Sequence, residues 1–215
     1  PVSGSQAAAE RQSLATAHAV RSVVVPRLVA AAVDRGWGRP LERVVAPAAI
    51  DDAASADDPA PTILPEVDVA TWERVAVAGR VASPADPRDV HAIVRAALMD
   101  GAAVSAAIAG GTVVALALSA SGGGGHELLA LGVAPAYRRK GLGARLLADH
   151  LAALQSGATV SATITVAERD PIEPLPLDVR MTIARSLLVA AGFEVRLAEA
   201  PLGRIDSSAI VAVRG

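Results

Sequence analysis

Residues 102–125, AAVSAAIAGGTVVALALSASGGGG, carry no charged side chain. An uncharged run of this length either crosses a membrane or is buried in a sheet. Gly110-Gly111 stands inside it, four glycines close it, and its apolar residues are mostly Ala and Val rather than Leu and Ile. A glycine pair between two apolar runs is a hairpin signal. The segment is therefore expected to be a buried β-hairpin rather than a transmembrane helix. No secretory signal pattern is read, and the chain is expected to be soluble and cytoplasmic, with no membrane partner.

Hydrophobic residues make up 52% of the 215, enough for one sizeable core. Trp37, Trp72, Tyr137 and Phe193 are all the aromatics, so that core must be built from Val, Leu, Ile and Ala. With no aromatic platform for bases, and a net charge of −2 rather than a basic field, a nucleic-acid partner is not expected. The absence of Cys excludes disulfides, thiolate metal sites and a Cys nucleophile. His18, His91, His126 and His150 show no metal-ligand spacing, and Asp51, Asp52, Asp57 and Asp58 read as a solvated linker. No metal site is expected.

Residues 6–35 keep helical spacing, with Pro26 as a kink and Gly36 as a stop. Residues 46–66 are rich in Pro, Asp and Ala, a linker composition. Two units follow: an N-terminal helical extension and linker over 1–70, and a folded domain over 71–215. In the second, WERVAVAGRVA from Trp72 reads as a strand. A helix follows, with Asp86 and Pro87 at its start and Gly101 as its stop. Two strands flank Gly110-Gly111, and Gly122–Gly125 read as a flexible connection to a strand over 127–135. A helix carries Leu142, Leu146, Leu147, Leu151 and Leu154 on one stripe. Then come a strand ending near Glu168, a Pro-rich loop, a helix stopped by Gly192 and two last strands. The order from residue 72 is β-α-β-β-β-α-β-α-β-β.

The joint between the strand that ends near Ala134 and the leucine helix reads PAYRRKGLGARLL, Pro135 to Leu147. A helix start offers amides without intrahelical partners and the positive end of the dipole. Gly141 and Gly143 let an anion approach those amides, and Arg138, Arg139 and Lys140 add charge. The P-loop pattern GxxxxGK[ST] is absent, and GLGARL lacks the third glycine of a dinucleotide fingerprint. The pattern [R/Q]-x-x-G-x-[G/A] is met by Arg138, Gly141 and Gly143.

In that setting, LLALGVAPAYRRKGLGARLLADHL resembles the acetyl-CoA motif of the GCN5-related N-acetyltransferases (GNAT). The element order is similar to theirs, and ARSLLVAAGFEV, residues 184–195, resembles the family's helix that ends in Gly-Phe. The resemblance covers roughly residues 72–215. It implies an α/β (α+β) fold with a central mixed, mostly antiparallel sheet flanked by helices, the N-terminal helices being an addition. It implies acetyl-CoA as cosubstrate, bound between the family's splayed fourth and fifth strands. By the same resemblance, Leu131, Gly132 and Val133 contact pantetheine. Arg138, Arg139, Lys140, Gly141, Leu142, Gly143 and Ala144 hold the pyrophosphate. A carboxylate, Glu127 or Glu168, takes the proton of the attacking amine. The acceptor would be an amine on a small molecule or peptide, and a homodimer is compatible with this reading.

Two family positions depart: the tyrosine that protonates the leaving thiolate is Leu188 here, and the asparagine common early in the same helix is absent. Two readings stay open, an N-acetyltransferase and an acetyl-CoA-binding sensor without turnover.

Overall fold

Gly110 and Gly111 take φ of 55° and 78°, the left-handed pair that a two-residue hairpin turn needs. They fold β2 (Ala103–Ala109) back on β3 (Thr112–Gly122), with Ala109 opposite Thr112. Val113 to Ala120 are all buried. A strand covered on both faces leaves no position for a charge, which accounts for the uncharged run. Among the described residues no helix is long and apolar enough to cross a membrane.

The computed structural model describes residues 60–77, 90–122, 124–134, 137–154, 157–167, 176–198 and 207–215. Its other strands are β1 (Thr62–Leu64), β4 (Gly125–Val133), β5 (Thr159–Ala167), β6 (Glu194–Ala198) and β7 (Ser207–Arg214). The four helices of the described residues are α1 (Val69–Val77), α2 (Val90–Met99), α3 (Leu142–Ala153) and α4 (Leu177–Ala190). The seven strands form one sheet in the order β1-β2-β3-β4-β5-β7-β6. Only β4 and β5 run parallel; every other neighbouring pair is antiparallel. This is the mixed, mostly antiparallel α/β architecture expected from the sequence.

Three local expectations change. The stretch from Trp72 was expected to be a strand, but residues 69–77 form α1. Asp68 caps it, its Oδ1 accepting from the Thr71 amide at 2.6 Å. The Trp72 ring is buried, stacks on His91 at 5.6 Å and donates from Nε1 to the His91 carbonyl at 3.1 Å. The cap and this contact outweigh the alternation of small apolar residues. Residues 78–82 of that stretch lie outside the described residues.

The linker reading of 46–66 also changes at its end. Thr62–Leu64 pairs with β2, and the Val67 amide donates to the Val104 carbonyl at 2.9 Å. The sheet thus begins before residue 71. The ends of the glycine run belong to the sheet: β3 reaches Gly122, β4 starts at Gly125, and those two residues are registered partners. The helix expected over residues 6–35 lies outside the described residues.

The leucine stripe of α3 serves two packed groups. Leu142 and Leu146 join the core around β2, β3 and Trp72. Leu147, Leu151 and Leu154 pack with Leu128, Val160, Leu188 and Phe193. Each fully buried leucine contributes about 1.5–3 kcal/mol, so α3 is held along its whole length.

Candidate active site

β4 and β5 form a fork. Their registered pairs run from Gly125–Thr159 to Leu128–Ala162 and end there, although β4 continues to Val133 and β5 to Ala167. A bulge explains the parting. Opposite β3, Ser119 pairs with Leu128 but Leu118 pairs with Ala130, so Leu129 is an extra residue on β4. A bulge bends its strand and sharpens the local twist. Beyond it β4 keeps β3 on one side, and the edge of Leu131, Gly132 and Val133 that faced β5 is released. Gly125 holds the closed end. A Cβ there would fall on the Thr159 carbonyl.

The open end of the fork leads to the start of α3. Past β4, the Ala134 amide donates to Val114 and the Tyr137 amide to Ala134, at 2.8 and 2.9 Å. Arg139 takes a left-handed φ of 61° and Gly141 one of 76°. Gly141 is the N-cap and offers no side-chain bond. The Arg145 amide donates to the Gly141 carbonyl, so the amides of Leu142, Gly143 and Ala144 precede the first intrahelical bond. They sit at the positive end of the helix dipole. Gly143 is half-buried beneath the end of β4, and a Cβ on it would come within 3.2 Å of Val133 Cγ2.

The three cations differ in place. Arg139 and Lys140 are exposed, and Lys140 Nζ lies 5.7 Å from the Tyr137 ring centroid. Arg138 is half-buried and donates from Nε to the Val133 carbonyl at 2.9 Å. Its side chain ties the loop to the end of β4, a bracing contact that the sequence pattern did not reveal.

Glu127 is half-buried on β4, opposite Ala120 of β3 and Ser161 of β5, one residue before the fork opens. Leu128 packs towards α3 and α4, so strand alternation puts Glu127 on the other face. With His126, Ser121, Thr159 and Ser161 it lines a cleft of about 350 Å³ at the closed end of the fork. Glu168, the second carboxylate candidate, lies outside the described residues. Leu188 is fully buried in the same packed group as Leu128. Among the described residues no cluster of His, Asp and Glu could hold a metal.

Beneath α3 stands one polar group that no sequence motif marks. His150 on α3 is buried, with Nδ1 2.7 Å from Ser105 Oγ and Nε2 2.8 Å from Ser119 Oγ. Burial, with a smaller contribution from the nearby His126 charge, pushes its pKa down to about 4. Its helical spacing from Leu142 and Leu146, and two lone serines inside apolar strands, were the available signal.

Residues 69–170 match the model of the acetyltransferase (GNAT) family. With the sheet and helices described above, the chain has a GNAT fold. The match takes in α1, the fork, Glu127 and the loop into α3. The GNAT fold is completed outside it by β1, α4, β6 and β7. Among solved structures, a Salmonella typhimurium protein described as an acetyltransferase with its cofactor acetyl-CoA is 20% identical. Its TM-score is 0.48, over 72% of this chain and 93% of that one. The ribosomal-protein-alanine N-acetyltransferase of Brucella melitensis is 19% identical, with a TM-score of 0.48 over 71% of this chain and 98% of its own. A GNAT acetyltransferase of Streptococcus pneumoniae is 16% identical, with a TM-score of 0.46 over 71% and 98%. No curated protein matches the chain.

Proposed function

We propose that this GNAT domain transfers the acetyl group of acetyl-CoA to an amine, by direct attack. The observation that carries the reading is the continuity of the fork with the start of α3. An extended thioester arm could lie along the released edge of β4 while its pyrophosphate meets uncapped helix amides. Leu131, Gly132 and Val133 supply the backbone edge for the pantetheine. Gly141, Leu142, Gly143 and Ala144 supply amides for the pyrophosphate, with Arg139 and Lys140 as nearby charge. Gly143 supports the fit, because a side chain there would occupy the space between strand end and helix start.

In the reaction the amine nitrogen bonds to the thioester carbonyl carbon and the carbon–sulfur bond breaks. CoA leaves as thiolate and takes up a proton. Glu127 stands beside the point where the strands part and accepts the proton that the ammonium must lose. Leu188 offers no proton to the leaving thiolate. A thiol of pKa near ~8.5 is a tolerable leaving group near neutral pH without one.

The cleft at Glu127 favours a polar acceptor, a small molecule or a peptide with a primary amine. Its lining is small and hydroxylated: Ser121, Thr159 and Ser161 beside His126. The burial of Leu188 in hydrocarbon favours a second reading, a CoA-binding sensor without turnover. The deciding experiment measures CoA release from acetyl-CoA across a broad amine panel between about pH 6 and 9, either side of the reference thiol pKa. Release with any amine supports the transferase. Tight CoA binding with no release from any amine leaves the sensor.

A further inference from the structure

His150 interrupts an aliphatic stripe. The buried residues of α3 are Leu142, Leu146, Leu147, His150 and Leu151. The four leucines make apolar contacts, which carry no direction of their own. The contacts of the imidazole are directional, because it meets Ser105 on β2 and Ser119 on β3, both fully buried. Ser105 Oγ also bonds to the Pro65 carbonyl, in the turn between β1 and α1.

That last contact fixes the direction of the whole chain. A carbonyl only accepts, so the Ser105 hydroxyl donates to Pro65. The Ser105 oxygen must then accept from His150, which places the ring proton on Nδ1. His150 Nε2 is left as an acceptor and takes the Ser119 hydroxyl. Hydrogen bonds thus run one way, from Ser119 to His150 to Ser105 to Pro65. The opposite tautomer would break the Ser105–Pro65 bond, because both oxygens would then lack the shared proton.

We propose that His150 is a positioning residue that locks α3 axially and rotationally on β2 and β3, and so aims the amides of Leu142, Gly143 and Ala144 at the CoA pyrophosphate. The inference rests on the reading of the α3 start as the pyrophosphate site. His150 lies about 12 Å along the helix from Leu142, close enough for a rigid helix to carry a rotation at one to the other. Removal of the lock leaves the leucines packed but lets the helix settle in more than one register.

The test has two arms. Nitrogen NMR of the histidine rings at neutral pH reads the tautomer directly. His150 is expected as the neutral Nδ1–H form, with a ring proton protected from exchange. Titration calorimetry with CoA then compares the unaltered protein with Ser119→Ala, His150→Ala and Leu151→Ala, each well below its melting temperature. Leu151→Ala loosens the same helix without touching the chain of hydrogen bonds. His150→Ala and Ser119→Ala are expected to bind CoA about tenfold more weakly, the equivalent of one misdirected phosphate bond, and Leu151→Ala to bind normally. If His150→Ala does not fold, Ser119→Ala, which removes one oxygen, carries the comparison. Unaltered protein that binds no CoA overturns the pyrophosphate site and this inference with it. CoA binding that is unchanged in the folded His150 and Ser119 variants, or weakened equally in Leu151→Ala, overturns the inference alone. So does an Nε2–H tautomer.

Discussion

Gly143, in the first turn of α3, lies so close to the end of β4 that a Cβ would stand 3.2 Å from Val133 Cγ2. Strand end and helix start therefore meet at a distance only glycine allows without displacement. Alanine would gain up to ~1 kcal/mol of helix propensity and lose much of it by pushing Val133 aside. Gly143→Ala is expected to leave stability nearly unchanged while it weakens CoA binding. Gly143→Glu places a carboxylate where a phosphate is proposed and is expected to abolish binding. Calorimetry with CoA, beside a urea melt, separates the two effects; normal affinity in Gly143→Glu removes the phosphate assignment.

Gly125 does the corresponding work at the closed end of the fork. An added Cβ would overlap the Thr159 carbonyl, backbone that cannot step aside. Gly125→Ala should cost about 1–3 kcal/mol, as overpacking does, and should wedge β4 from β5 beside Glu127. CoA binding, proposed for the other end of β4, should suffer less than turnover. Urea unfolding and a CoA titration on the same variant check both halves.

The joint from β4 into α3 was legible in the sequence because its parts are local. Gly141, Gly143 and the preceding cations act through their own backbone within a few residues. Gly110-Gly111 was legible for the same reason. The fork was not, since the bulge at Leu129 is a property of how β4 pairs with β3. α1 was misread because Trp72 and Val75 suit either a strand or a helix, and the decision lies with the Asp68 cap and a distant His91. β1 has three residues and becomes a strand only on the edge of β2. The His150 chain joins residues 65, 105, 119 and 150, a grouping no window of sequence contains. Glu168 lies outside the described residues.

His150 makes stability depend on pH in a defined window. Its folded pKa of about 4 lies below the ordinary value of 6.5. Above pH 6.5 the ring is neutral in both states and adds no pH dependence. As pH falls from there towards 4, the unfolded chain takes up a proton that the folded chain refuses, so stability is lost. The slope is about 1.4 kcal/mol per pH unit, and the full loss is on the order of 3 kcal/mol. Urea midpoints across this range should show that slope in the native protein. A folded His150→Gln variant should lack this one-proton component, and equal slopes in the two would contradict the assignment.

By the resemblance in sequence, Leu188 would stand where the family carries a tyrosine; it is fully buried among Leu128, Leu147, Leu151 and Phe193. A phenol there needs more volume and a partner for its hydroxyl. Leu188→Tyr is therefore expected to destabilise by about 1–3 kcal/mol. A melting temperature at or above that of the native protein would show room at this point and reopen a role for an acid.

Glu127 is the carboxylate proposed as the base. It sits one residue before the last registered pair of the fork, opposite Ser161, and lines the cleft at the closed end. An alkyl ammonium of pKa near ~10.4 is almost wholly protonated at neutral pH, so loss of its proton limits attack more than departure of the thiolate does. The rate should therefore rise with pH. Glu127→Gln keeps the shape and removes the proton acceptor. It should lower kcat by about 10²–10⁴-fold, the usual worth of a positioned base, and leave CoA affinity unchanged, because the proposed CoA contacts lie beyond Leu128. Part of the lost rate should return at high pH, where free amine no longer needs the carboxylate. The measurement is CoA release against pH for native and variant protein with whichever amine is turned over. If kcat is unaffected by Glu127→Gln at neutral pH, Glu127 is not the base, and Glu168 becomes the residue to replace.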